Sequence, residues 1–138
     1  MPHSIQVVRT ADFLRFGGNG KVDFAETRRS LMNIAKVCVD LNIDCALLDI
    51  REMRSDMTPV DLYELATAFK EMGFHRGHKL AILHRASGGE RVEFFAMNPA
   101  ARAEFFAACA KDAGFQVKAF DEYEGAMEWF GTALPVAE

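Results

Sequence analysis

Two short stretches carry the residue types best suited to holding an anion. Arg51, Arg54, Ser55 and Thr58 lie in one, and Arg85, Ser87, Gly88 and Gly89 lie in the other, with Arg91 just beyond. A guanidinium offers a planar fork of donors that matches phosphate or carboxylate, hydroxyls donate singly, and glycine lets backbone N–H groups approach a ligand. Acidic neighbours compete for the same arginines. Asp49, Glu52, Asp56 and Glu90 can neutralise them as solvated loop ion pairs. The candidate ligand-binding set is therefore Arg51, Arg54, Ser55, Thr58, Arg85, Ser87, Gly88 and Gly89, and its affinity for an anion is expected to be modest and weakened by salt.

Other reactive side chains point away from catalysis. His75 and His78 are spaced as paired metal ligands sometimes are, but no carboxylate or thiol adjoins them in the sequence and Gly77 lies between them. An exposed turn without a metal is the expectation there, and His84 stands apart. Cys38 falls on an apolar helix face, Cys45 opens an apolar run and Cys109 sits among Phe105, Phe106 and Ala108, so none has the nearby positive charge that makes a thiolate nucleophile. Gly17-Gly18-Asn19-Gly20 contains no phosphate-directed lysine in the required frame and reads as a turn. Asp49, Arg51 and His84 do not pair as base and nucleophile, so no catalytic residue and no cofactor is assigned. Phe94, Phe95, Phe105, Phe106 and Phe115, with Met97, suit a core, or else the lining of a greasy cavity.

Composition narrows the partners. With 138 residues, 50% hydrophobic and 26% charged, the chain has the balance of one globular domain that can build a core without disulfides. A formal charge of −4 lacks the positive excess that nucleic acid or an anionic membrane face demands. The longest apolar runs fall short of the roughly 20 residues needed to span a bilayer, and residues 1–10 lack the apolar core of a secretion signal. Three widely separated cysteines suit reduced thiols. A cytoplasmic location is the expectation.

These side chains must be positioned by a simple alternation of elements. Ile5–Arg9 and Phe13–Phe16 read as an N-terminal hairpin closed off by the glycine cluster. Asp23 and Glu26 make a capping box for a helix whose apolar face is Phe24, Leu31, Ile34, Ala35, Cys38 and Leu41. Cys45–Ile50 reads as a strand covered on both faces. Thr58-Pro59-Val60-Asp61 starts a helix buried through Leu62, Leu65, Ala66, Phe69 and Met72 and ended by Gly73. A strand over Leu80–His84 follows, then a polar loop. Residues 91–113 read as helical with a break at Asn98-Pro99, the longer part running to Gly114. Phe115–Phe120 is the last strand. Asp121 with Glu124 suggests a cap for a final helix through Tyr123, Ala126, Met127 and Phe130, leaving 132–138 as a short C-terminal tail. Strands separated by helices need crossovers, so a mixed, mostly parallel α/β sheet with helices packed on it is predicted, in a single domain over 1–138.

In this order the chain resembles the SpoIIAA-like group of the STAS fold, the anti-sigma-factor-antagonist architecture, which is related in outline to Sec14-type lipid-binding domains. The resemblance is carried by Cys45 to Arg51, by Asp61 to Ala66, by Lys79 to Leu83 with Glu93-Phe94-Phe95, and by Gly114 to Tyr123 followed by Ala126 and Trp129. Phospho-regulated members carry a serine or threonine directly after the strand-end aspartate, whereas Asp49 here is followed by Ile50 and Arg51, so no phospho-switch is implied at that position. The resemblance implies a non-enzymatic binding or regulatory module that engages a protein partner or a small anionic ligand through its strand-end loops. A small carrier of an apolar or lipid-like ligand is the alternative, and an enzyme of unknown reaction the second. Val7, Val8 and Phe13 on the hairpin suggest a homodimer paired across a two-fold axis, with Arg9 and Arg15 as the residues that would instead blunt that edge.

Overall fold

The computed structural model describes residues 5–9, 13–55, 57–85 and 99–131, with the backbone alone described for 5–9 and 99. The strands β1 (Ile5–Arg9) and β2 (Leu14–Gly18) form the expected antiparallel hairpin. Asp23 then caps α1 (Phe24–Leu41) in a reciprocal box, its carboxylate accepting from the Glu26 N–H at 2.8 Å while the Glu26 carboxylate accepts from the Asp23 N–H at 3.1 Å. Thr58 does the same for α2 (Pro59–Thr67), with Pro59 in the first turn where its missing N–H costs nothing. The short helix α3 (Phe69–Met72) extends α2 to Gly73, which takes the left-handed conformation at φ 110°. Helix α4 (Pro99–Asp112) and helix α5 (Tyr123–Phe130) end in Gly114 and Gly131, again with positive φ.

Strands β4 (Cys45–Asp49), β6 (Lys79–Leu83) and β7 (Gln116–Phe120) complete a sheet in the order β1-β2-β4-β6-β7. Every pairing after the hairpin is parallel, and Asp49 lies opposite both Gly17 and Leu83. Alternation divides the side chains between two faces. Leu14, Phe16, Ala46, Leu80, Ile82 and Val117 pack beneath α1 to α4, where Leu31, Ile34, Leu65, Phe69 and Phe106 meet them. On the opposite face Leu47, Ala81 and Leu83 pack with Phe13 and with Ala126, Met127 and Phe130 of α5. This is the mixed, mostly parallel α/β fold expected from the sequence.

Local readings differ in three places. Residues 20–22 and 53–55, taken as turn and loop, form β3 (Gly20–Val22) and β5 (Met53–Ser55), a two-stranded parallel sheet of their own. Each is too short to show alternation, and the pairing exists only because β2 and β4 deliver the two segments side by side. Helix α5 is capped by Glu122 in extended conformation with no side-chain bond, not by Asp121. Leu41, assigned to the buried stripe, is exposed in the last turn of α1, just before the left-handed cap at Asn42. Trp129 packs in α5, partly buried against Phe120 and Phe130. Expectations for Asp56, for Ser87 to Arg91, for a helical 91–98 with Phe94, Phe95 and Met97, for the tail 132–138 and for the side chains of Val7 and Val8 lie outside the described residues.

Candidate functional site

Strand order brings Arg51, Arg54, Ser55, Thr58 and Arg85 to one end of the sheet, beyond the C-termini of β4 and β6. Their partners differ. Arg51 folds back on Asp49, its Nε and Nη2 donating to the two carboxylate oxygens at 2.9 and 2.7 Å, while Arg15 donates to the same group at 3.0 Å. Burial works to raise the Asp49 pKa, but the hydrogen bonds from Arg51 and Arg15 prevail and hold it below the ordinary carboxylate value. Arg85 donates to the Arg51 carbonyl at 2.7 Å and to the Glu52 carboxylate at 3.1 Å, tying the two loops together. Thr58 Oγ1 accepts from the Asp61 N–H at 3.2 Å and serves as the helix cap. Three of the candidate residues, Ser87, Gly88 and Gly89, lie outside the described residues.

Arg54 is placed differently from Arg51 and Arg85. It is exposed, and among the described residues its guanidinium has no ion-pair partner within reach. It stands at the lip of an apolar pocket of about 120 Å³ between β5, α1, α2, α4 and the sheet. Leu48, Ile50 and Ile82 form the floor, and Leu31, Leu65 and Phe106 contribute to the walls. Ser55 and Arg102 join Arg54 among its polar groups; Arg102 donates through Nε to the Met57 carbonyl at 3.2 Å, and Ser55 Oγ accepts from the Met57 N–H at 3.1 Å. Among the described residues, the two ionisable side chains in this lining are both arginines. The sequence pointed to a greasy cavity through Phe106 but not to its other walls, which come from α1, α2, β3, β5 and the sheet strands β4 and β6.

A second cluster lies at the opposite end of the strands. Asp44, His75 and His78 each place a possible ligand atom within 4.8 Å of the others. The expectation that no carboxylate adjoins the histidines is thereby corrected, and so is the exposed turn: His75 is exposed, but His78 is 4% exposed. The signal was available in the strand pattern. Asp44 and His78 each immediately precede a strand, and neighbouring parallel strands bring such positions together. His84 is also buried, with Nδ1 2.7 Å from the Arg85 carbonyl. Burial first, then the charge of Asp44 and of Cys45, pushes the Cys38 thiol up to about 11, the opposite of nucleophilic activation.

No family model matches the chain, and no curated protein matches it in sequence. Solved structures do match its backbone. An anti-sigma factor antagonist from Mycobacterium paratuberculosis aligns with a TM-score of 0.57 at 12% identity, covering 94% of each chain. An uncharacterised protein with a SpoIIAA-like fold from Shewanella loihica PV-4 aligns with a TM-score of 0.52 at 19% identity, covering 93% of each chain. No helix among the described residues is long and apolar enough to cross a membrane. Here a hairpin leads into parallel strands, with α1 to α4 on one face and α5 on the other, and by these backbone matches the chain has the SpoIIAA-like, STAS fold.

Proposed function

We propose that the chain is a non-enzymatic binding module whose strand-end pocket takes a small ligand with an apolar body and an anionic end. The observation that supports this is the pocket itself, apolar throughout its floor and, among the described residues, bearing only cationic ionisable groups, Arg54 and Arg102. An apolar cavity of about 150 Å³ holds one benzene ring, so a space of about 120 Å³ suits the tail of a short chain whose anionic end lies outside at the lip beside Arg54, and is too small for a whole membrane lipid. That size favours a signal or metabolite over bulk lipid transport. Arg54, with no ion-pair partner among the described residues, can meet a carboxylate or phosphate that Arg51 and Arg85, already engaged, meet less readily. Native mass spectrometry of freshly purified protein tests the reading: a retained compound with one acidic group and a short apolar part supports it, and a clean apoprotein that also ignores octanoate at millimolar concentration refutes it.

A protein partner is the second reading. It is favoured by Val60 and Tyr63, 66% and 56% exposed on the outer face of α2 beside the same end of the sheet, and by the anti-sigma factor antagonist that shares the fold. On this reading Val60→Asp with Tyr63→Asp abolishes retention of a partner while leaving ligand binding in the pocket intact.

A further inference from the structure

Asp44, His75 and His78 meet at the N-terminal edge of the sheet, remote from the pocket. Cys45 is registered opposite Lys79 across β4 and β6, so the residue before each strand is drawn alongside the other. The Lys79 N–H donates to the Asp44 carbonyl at 2.8 Å and fixes that approach. His75 enters from the turn after α3, which is held by His78 N–H donating to the His75 carbonyl at 3.0 Å. The two imidazoles stack with centroids 3.6 Å apart and planes 26° apart. His78 Nε2 is buried with no hydrogen-bond partner, which is rare for an imidazole nitrogen and marks the ring as something other than a solvated turn residue.

We propose that Asp44, His75 and His78 form a site for a divalent transition-metal ion of the zinc class. Two imidazoles and one carboxylate match that class, whereas calcium and magnesium take oxygen ligands. A tetrahedral zinc ion with bonds near 2.0–2.2 Å needs neighbouring ligand atoms roughly 3.3 Å apart, so the present spread of up to 4.8 Å must tighten on binding. His75 and Asp44 are exposed and can rotate to do so, while His78 is held at the start of β6. Each ring already presents a lone pair at Nδ1, where it accepts a long backbone N–H contact, 3.2 Å from His75 to His78 and 3.1 Å from Gly77 to His75. A metal at Nδ1 replaces those donors without moving a proton; at His78 Nε2 it supplies the partner that atom lacks, the ring proton moves to Nδ1, and the His75 N–H gives up its contact there. Three protein ligands leave a fourth position for water.

Zinc and cobalt titrations of the full chain, stripped of metal with a chelator, test the site. One ion per chain is expected, with about a tenfold or greater loss of affinity in His75→Ala and in Asp44→Asn. Zinc should raise the melting temperature of the parent chain and not that of His75→Ala. Both altered side chains are exposed, so the fold survives the changes and an amide NMR spectrum confirms it. Unchanged affinity in both variants overturns the proposal. So does the absence of stoichiometric binding, or a cobalt spectrum dominated by thiolate charge transfer, which would assign the ion to the cysteines.

Discussion

Asp49 is the residue on which the strand-end loops depend. It closes β4 and accepts from Arg15, from the Arg51 side chain and from the Arg51 N–H at 3.1 Å. Replacing Asp49 with Asn leaves two arginines to share one neutral carbonyl oxygen, and an expected loss of about 1–2 kcal/mol follows from the charge-assisted hydrogen bonds removed. The lower end of that range applies, because the side chains of Arg15 and Arg51 are 40% and 42% exposed and water takes over part of the pairing. Its lowered pKa sets a direction with pH. The native contribution is complete above about pH 4, the value of a free carboxylate, and is lost as pH falls through the lower folded value. Urea titrations across that acid range check this: the parent chain should lose stability more steeply than Asp49→Asn, and parallel curves would exclude the assignment.

Among the elements, the capped helices test most cleanly. Thr58→Ala removes the hydroxyl that accepts from the Asp61 N–H and should cost about 1 kcal/mol. Because Thr58 is a cap, octanoate affinity should stay within twofold, measured by calorimetry; a larger loss would make the hydroxyl a ligand contact. Gly114 ends α4 at φ 99°, and a Cβ there would come within 3.1 Å of the Arg76 guanidinium, so Gly114→Ala should destabilise by about 1–2 kcal/mol in thermal unfolding. Trp129→Ala belongs with these modest effects, about 1–2 kcal/mol instead of the several expected for a deep ring. One face of the indole region is reached by Lys79, whose Nζ lies 5.7 Å from the ring centroid and donates to the Trp129 carbonyl at 3.1 Å.

Across the whole molecule, legibility in the sequence followed the range of the forces involved. The caps at Asp23 and Thr58 and the stripe Leu62, Leu65, Ala66, Phe69 and Met72 are written within a few residues, and the sequence reading of each agrees with the structure. The gathering of Arg51, Arg54 and Arg85 was also legible, because parallel order alone places successive strand-end loops together. Which arginine is engaged was not, since that depends on rotamers and on Asp49 reaching both Arg15 and Arg51. The β3–β5 pair, the pocket and the Asp44 cluster were hidden for the same reason: each is built from segments far apart in the chain that meet only in the packed fold.

The pocket reading is tested most directly by an amide NMR titration with octanoate, run beside inorganic phosphate, octanol and an Ala103→Leu variant. Ala103 is buried in the pocket wall, and leucine there fills the space an apolar ligand would occupy. Octanoate is expected to shift the amides of residues 22–31, 48–57, 62–65 and 102–106, phosphate to act weakly near Arg54, octanol to bind less tightly than octanoate, and Ala103→Leu to remove the octanoate response while keeping the fold. Octanoate shifts confined to other residues, or a response that persists in Ala103→Leu, would contradict a ligand held in this pocket.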